Sequence, residues 1–98
     1  MPMYVTLLNW TDQGIRNYKD TAKRADAFGA AAQKLGAKLL NIYWTVGPYD
    51  AVALVEAPDD ETATAALLQL GGVGNVHTTT LRAFGRDEME RILAKAAG

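Results

Sequence analysis

The sequence predicts an α+β domain whose elements follow the order βαββαβ, with one more helix at the C-terminus. Three observations carry that expectation. Apolar residues recur at steps of three and four from Ile15 to Leu35 and again from Ala63 to Leu70, the spacing of a helical face. Four other segments are dense in β-branched, aromatic and large aliphatic residues, as strands are. The link between the second and third of these segments is short, whereas the other two links run through the helices and are long enough for crossovers.

The first strand is Met3 to Trp10. Thr11 or Asp12 then supplies a side-chain oxygen for a helix N-cap. Ile15, Tyr18, Ala22, Ala25, Phe28, Ala32 and Leu35 form one helical face, with Arg16, Asp20 and Arg24 at i,i+4 spacing on the solvated side. Gly36 ends this helix. The second strand runs from Lys38 to Val46 and the third from Ala51 to Ala57. Pro48 lies between them. A two-residue primed turn needs a positive φ at its first central position, and proline fixes φ near −65°, so a longer loop built on a type I turn is expected. Pro58-Asp59-Asp60-Glu61 opens the second helix, its acidic first turn suited to the positive end of the helix dipole. Ala63, Ala66, Leu67 and Leu70 are its inner face, and Gly71, Gly72 and Gly74 stop it. The fourth strand spans Asn75 to Phe84. Asp87 to Ala97 forms a short amphipathic helix with Met89, Ile92, Leu93 and Ala96 on one side.

This order is the split βαβ, or ferredoxin-like, pattern, in which both helices cover one sheet face and leave the other bare. The second strand indicates what becomes of the bare face. Leu40, Ile42, Trp44 and Val46 point one way and Leu39 and Tyr43 the other, so neither side is polar. The third strand has Glu56 as its one charge. A bare apolar face of this kind marks a partner surface, and the simplest partner is a second copy of the chain.

Composition narrows the function classes. The 98 residues suit a single domain, 1–98, and 49% of them are hydrophobic, enough for a core. Net charge is −1, with acidic and basic residues interspersed, which argues against nucleic acid as a partner. No apolar run is long enough for a membrane span. The N-terminus lacks a basic n-region, so a cytoplasmic setting is expected. There is no cysteine, which removes disulfides, thiolate metal sites and a thiol nucleophile. With one histidine and no dinucleotide fingerprint, no metal and no cofactor are expected.

Several blocks together resemble the GYD-domain proteins, small bacterial proteins named for a Gly-x-Tyr-Asp-like turn. They are Trp10-Thr11-Asp12-Gln13-Gly14-Ile15, Lys19-Asp20-Thr21, Tyr43-Trp44-Thr45 with Gly47-Pro48-Tyr49-Asp50, Glu56-Ala57-Pro58-Asp59-Asp60-Glu61, Gly74-Asn75-Val76-His77-Thr78 and Thr80-Leu81-Arg82-Ala83-Phe84. Position 77 departs from the family pattern, which more often carries Arg there. The resemblance implies a dimeric α/β barrel in which two ferredoxin-like sheets face each other. The family's own role is largely undefined. Some relatives by fold are cofactor-free monooxygenases or small-ring isomerases, an analogy at the level of fold only.

Candidate site residues are Trp10, Tyr43, Trp44, Tyr49, Asp50 and His77. Asp50 suits a general base near Tyr43 and Tyr49, but its plainer role is to bind backbone amides and fix the loop. His77 has the intrinsic pKa of an acid–base group and lacks the companions of a metal ligand. The four aromatics suit a cleft for a flat apolar ligand, and equally suit core and interface packing. Lys19, Lys23 and Arg24 lie within two turns of the first helix and suit an anion, but Asp20 and Asp26 interleave them, which favours a solvated face. The glycines at 71–74 precede a strand and lack the Lys-Ser/Thr of a phosphate loop. The expected function is a small homo-oligomeric module that binds a small organic ligand in a sheet-face cleft. One alternative is a cofactor-independent monooxygenase or isomerase for an aromatic or quinone-like substrate, with His77 or Asp50 as base and Tyr43 or Tyr49 as donor; another is an assembly or interaction protein with no pocket.

Overall fold

A computed structural model describes residues 1–98. Strand β1 (Met3–Trp10) leads into the short helix α1 (Asp12–Arg16), a 3-10 turn (Tyr18–Asp20) and helix α2 (Thr21–Lys34). Strands β2 (Lys38–Trp44) and β3 (Ala51–Glu56) form a hairpin. Helix α3 (Asp60–Gly72), strand β4 (Val76–Ala83) and helix α4 (Arg86–Ala96) complete the chain. The four strands form one antiparallel sheet in the order β2-β3-β1-β4, the ferredoxin-like arrangement expected from the element order.

Register divides the sheet residues into rows, because directly paired residues point to the same face. On the helix-covered face run Arg82–Tyr4–Val55–Leu39, Thr80–Thr6–Ala53–Ile42 and Thr78–Leu8–Ala51–Trp44, with Val76–Trp10 at the end. Tyr4, Leu8, Ala51, Ala53 and Val55 are buried there together with Phe28 and Ala32 of α2 and Ala63 and Ala66 of α3. Thr6 is the one buried polar side chain, and its hydroxyl shares a hydrogen bond with that of Thr80 at 3.1 Å. The opposite face carries Leu81–Val5–Leu54–Asn41 and Thr79–Leu7–Val52–Tyr43, and no helix packs over it. Lys38 and Glu56 pair in register on that side.

Two local expectations are corrected. The single helix from residue 12 to 35 breaks at Asn17, whose side-chain amide donates to the Gln13 carbonyl at 2.9 Å and competes with the helical ladder. Ile15, Tyr18 and Ala22 therefore lie exposed, and only Phe28 and Ala32 of the anticipated face are fully buried. The i,i+4 charge spacing of Arg16, Asp20 and Arg24 yields no ion pair. Second, a bulge between Leu39 and Asn41 shifts the β2 register, so Leu39 joins Ile42 and Trp44 over the core instead of sharing the face of Tyr43. The link around Pro48 is the longer loop expected, residues 45–50. It is closed by Thr45 N donating to Asp50 O at 2.9 Å and the Thr45 hydroxyl donating to Tyr49 O at 2.7 Å.

The helix ends behave as their residues dictate. Thr11 caps α1, its hydroxyl oxygen accepting from Gly14 N at 3.1 Å, and Asp59 caps α3, accepting from Thr62 N at 2.8 Å. Gly36 has φ of +88°, and the amide of Ala37 reaches back to Ala32 O, closing α2. Helix α4 has no buried residue. Its start is held by Arg82, which forms an ion pair with Glu88 at 3.3 Å while its guanidinium lies 4.6 Å from the Phe84 ring centroid. Met89 and Leu93 remain exposed. No helix is long and apolar enough to cross a membrane.

Candidate functional site

The three segments that carry the candidate residues do converge at one end of the sheet. Trp44 pairs with Ala51, Ala51 with Leu8, Asn9 with His77 and Trp10 with Val76. The sheet then divides them. Trp10 and Trp44 project to the helix-covered face, whereas Tyr43 and His77 project to the bare one, as strand alternation requires. Tyr43 and His77 sit on the two edge strands, three strand spacings apart, or roughly 14 Å. Within one chain they do not form a base–donor pair. Tyr49 lies in the loop, its carbonyl held by Thr45.

Asp50 acts on the backbone. The β1–β3 ladder ends at the pair Leu8–Ala51. One residue earlier on the loop, Asp50 N donates to Leu8 O at 2.8 Å, and the Asp50 carboxylate accepts from Trp10 N at 2.9 Å. Leu8 and Trp10 turn their backbone groups to the same side of β1, so the carboxylate stands where the next strand carbonyl would have been. Asn9 adds a bond from its side-chain amide to Pro48 O at 2.9 Å.

The other side of Trp10 is held as firmly. Thr11 N donates to Asn75 O at 3.0 Å, the Thr11 hydroxyl donates to Gly74 O at 2.6 Å, and Gln13 Nε2 donates to Val73 O at 3.1 Å. Gly14 permits this docking: a Cβ there would lie 2.0 Å from the Asn75 carbonyl oxygen. Trp44 is fixed from above, its indole N–H donating to the Thr21 hydroxyl at 3.0 Å.

Between these supports lies a cavity of about 310 Å³. Helices α2 and α3 lie over the edge strands β2 and β4, so the space opens between them above the central strands. Its floor is Thr6, Leu8, Ala51 and Ala53, its walls include Phe28, Ile42 and Leu70, and Trp10 and Trp44 flank one end. Ala25 and Ala31 on α2 face Ala51 and Ala53 on β3, and small side chains on both layers leave the volume unfilled. The mouth of the cavity is open.

Apart from Thr6 in the floor, four polar side chains, Thr21, Arg24, Gln69 and Asn75, interrupt an otherwise apolar lining. For Arg24 this corrects the expected solvated face. The break at Asn17 turns it inward, where Nη1 donates to Asn17 O at 2.6 Å and Nη2 to Gly14 O at 3.3 Å. Neither of the two ion pairs in the molecule includes it. Sequence reasoning weighed Arg24 for an anion but left it on the solvated face, and it missed Thr21. The available signal was alanine at 25 and 31 on the inner helix face opposite a strand with alanine at 51 and 53. No group of three or more His, Asp and Glu side chains converges.

A second polar cluster lies at the far end of the sheet. The Tyr4 hydroxyl donates to the Asp60 carboxylate, and this bond, with burial second, raises the Tyr4 pKa. Hydrogen bonding to Arg82 holds Glu88 below the usual carboxylate range, and the Thr62 cap does the same for Asp59.

The family model for the GYD domain matches residues 4–93. A protein of Thermus thermophilus, named glutamine synthetase and cystathionine beta-lyase binding protein, is 33% identical over 85 residues, 86% of this chain and 90% of that protein. The crystal structure of TTHA0845, also from Thermus thermophilus, superposes with a TM-score of 0.57 at 29% identity, covering 87% of this chain and 95% of that one.

Proposed function

The chain belongs to the GYD-domain family, and on that premise we propose that it is a cytoplasmic homo-oligomeric binding protein, working through protein contacts rather than through a reaction of its own. The observation that carries this reading is the uncovered sheet face. Val5, Leu7, Val52, Leu54, Tyr43 and Leu81 form an apolar patch that reaches all four strands and is bordered by Asn41 beside Leu54 and Thr79 beside Leu7, with Tyr43 56% and Leu81 51% exposed. A face of this kind is stabilised by being covered. The face of a second copy offers the same flat apolar rows, and a net charge of −1 sets up little repulsion between copies. The name of the Thermus relative, a binding protein for two enzymes, supports a protein-binding role in this branch.

The reading extends to a small organic ligand. Its place on this reading is the helix-side cavity flanked by Trp10 and Trp44, because an unfilled alanine-lined volume of that size departs from the close packing of protein interiors. The monooxygenase or isomerase reading loses ground, since Tyr43 and His77 stand on opposite edge strands of the bare face and the Asp50 carboxylate is taken up by the Trp10 amide.

Light scattering after size exclusion at micromolar concentration tests the proposal. A dimer or larger assembly is expected, and Leu54→Glu should convert it to a monomer. A wild-type mass of one chain overturns it, because an obligate apolar interface persists at that concentration.

A further inference from the structure

We propose that the helix-side cavity takes a small monocarboxylic acid with an apolar body, its carboxylate bound by Arg24. This rests on the reading of the cavity as a ligand site and names the chemistry that site selects.

The lining sets the body of the ligand. Leu8, Phe28, Ile42, Leu70 and the two tryptophans offer aliphatic and ring surface, and about 310 Å³ lies at the small end of the ~300–1,000 Å³ range of ligand pockets. Arg24 sets the head group. Guanidinium is charged at any physiological pH and carries five N–H donors, of which two reach backbone carbonyls here. Those carbonyls fix its orientation but neutralise no charge, and no carboxylate of the chain pairs with it. A half-buried cation beside apolar surface is completed by an anion in bidentate contact. Thr21 adds to this. Its oxygen accepts from Trp44 Nε1, which leaves its own proton available to a second acceptor. A single charge opposite the one guanidinium favours a monocarboxylate over a phosphate or a dicarboxylate, because the lining holds no second cation to pair with a further charge.

The two tryptophans of the chain both flank the cavity, so intrinsic fluorescence reports its occupancy directly. The test titrates full-length protein with 4-phenylbutyrate and, in parallel, with its uncharged counterpart 4-phenylbutan-1-ol. Saturable fluorescence change with both, and affinity about tenfold or more in favour of the acid, is the expected result. Arg24→Gln, checked for an unchanged far-UV spectrum, should bring the acid down to the level of the alcohol. Ala31→Leu, which adds volume inside the cavity, should abolish both responses. Equal affinity of wild type for acid and alcohol overturns the carboxylate assignment while leaving the cavity as an apolar site. Saturation with neither probe, or undiminished binding to a folded Ala31→Leu, overturns the cavity site and this proposal with it. Both outcomes are independent of oligomeric state.

Discussion

Replacing Asp50 by alanine isolates one bond whose environment the structure defines on every side. Asp50 Oδ2 is the acceptor of Trp10 N at 2.9 Å, just past the point where the β1–β3 ladder stops. The remaining backbone bonds of Asp50, from its amide to Leu8 O and from Thr45 N to its own carbonyl, do not need the side chain. Asp50→Ala thus leaves the loop closure in place and removes the partner of a single half-buried amide. An unsatisfied buried donor costs about 1–3 kcal/mol. For a domain of this length each kcal/mol lowers the melting temperature by about 4–8 °C, so a fall of about 5–20 °C is expected. Asp50→Asn keeps an acceptor oxygen but loses its charge, and hydrogen bonds to neutral acceptors contribute about half as much, so it should fall between wild type and alanine. Differential scanning calorimetry and urea unfolding, both at one fixed protein concentration, measure the effect without confusion from self-association. An alanine variant with an unchanged midpoint would refute the argument. It would mean that water serves the Trp10 amide and that the carboxylate is retained for something else.

Gly14→Ala drives a Cβ into the Asn75 carbonyl, so it should destabilise by at least about 1–3 kcal/mol, read as a lower urea midpoint; a neutral outcome would show that α1 does not dock on residues 73–75. Asp59 and Glu88 titrate below the ordinary carboxylate value, so their contribution to stability is complete above about pH 4 and is lost as pH falls through their lowered folded values. Asp59→Asn combined with Glu88→Gln should flatten the acid limb of a plot of melting temperature against pH, and an acid limb identical to wild type contradicts this. Tyr4 runs the other way: its pKa is raised, so the stability it contributes is complete below about pH 10 and is lost as pH rises beyond that, and Tyr4→Phe should remove that alkaline loss.

The sequence by itself determined the elements and most of their facing. Periodicity and strand alternation are local properties of the backbone, so the spacing of apolar residues sufficed for the βαββαβ order, and parity alone put Tyr43 and Trp44 on opposite faces. The Pro48 argument excluded a tight hairpin for the same reason, since a fixed φ is a property of one residue. Asn17 lay beyond that reach. Its side chain stops a helix whose apolar spacing continues unbroken, because one side-chain bond to the backbone outweighs the weak preference of the pattern. Leu39 lay beyond it too, since a bulge adds one residue to a strand and inverts the parity of all that precedes it.

The site was legible only as a set of residues near one end of the sheet. That Trp10 and Trp44 share a face, that Tyr43 and His77 lie back to back with them, and that Asp50 completes a ladder followed from the pairing of strands distant in sequence. The cavity was the least legible. Alanines at 25, 31, 51 and 53 read as ordinary helix and strand residues until two layers are set face to face and the gap between them is measured. Arg24 reads as a surface charge until the helix break at Asn17 sets it against the Gly14 and Asn17 carbonyls. Local chemistry decides which way a side chain points along its own element, whereas empty volume and unpaired charge belong to the space between elements, which only the closed tertiary structure defines.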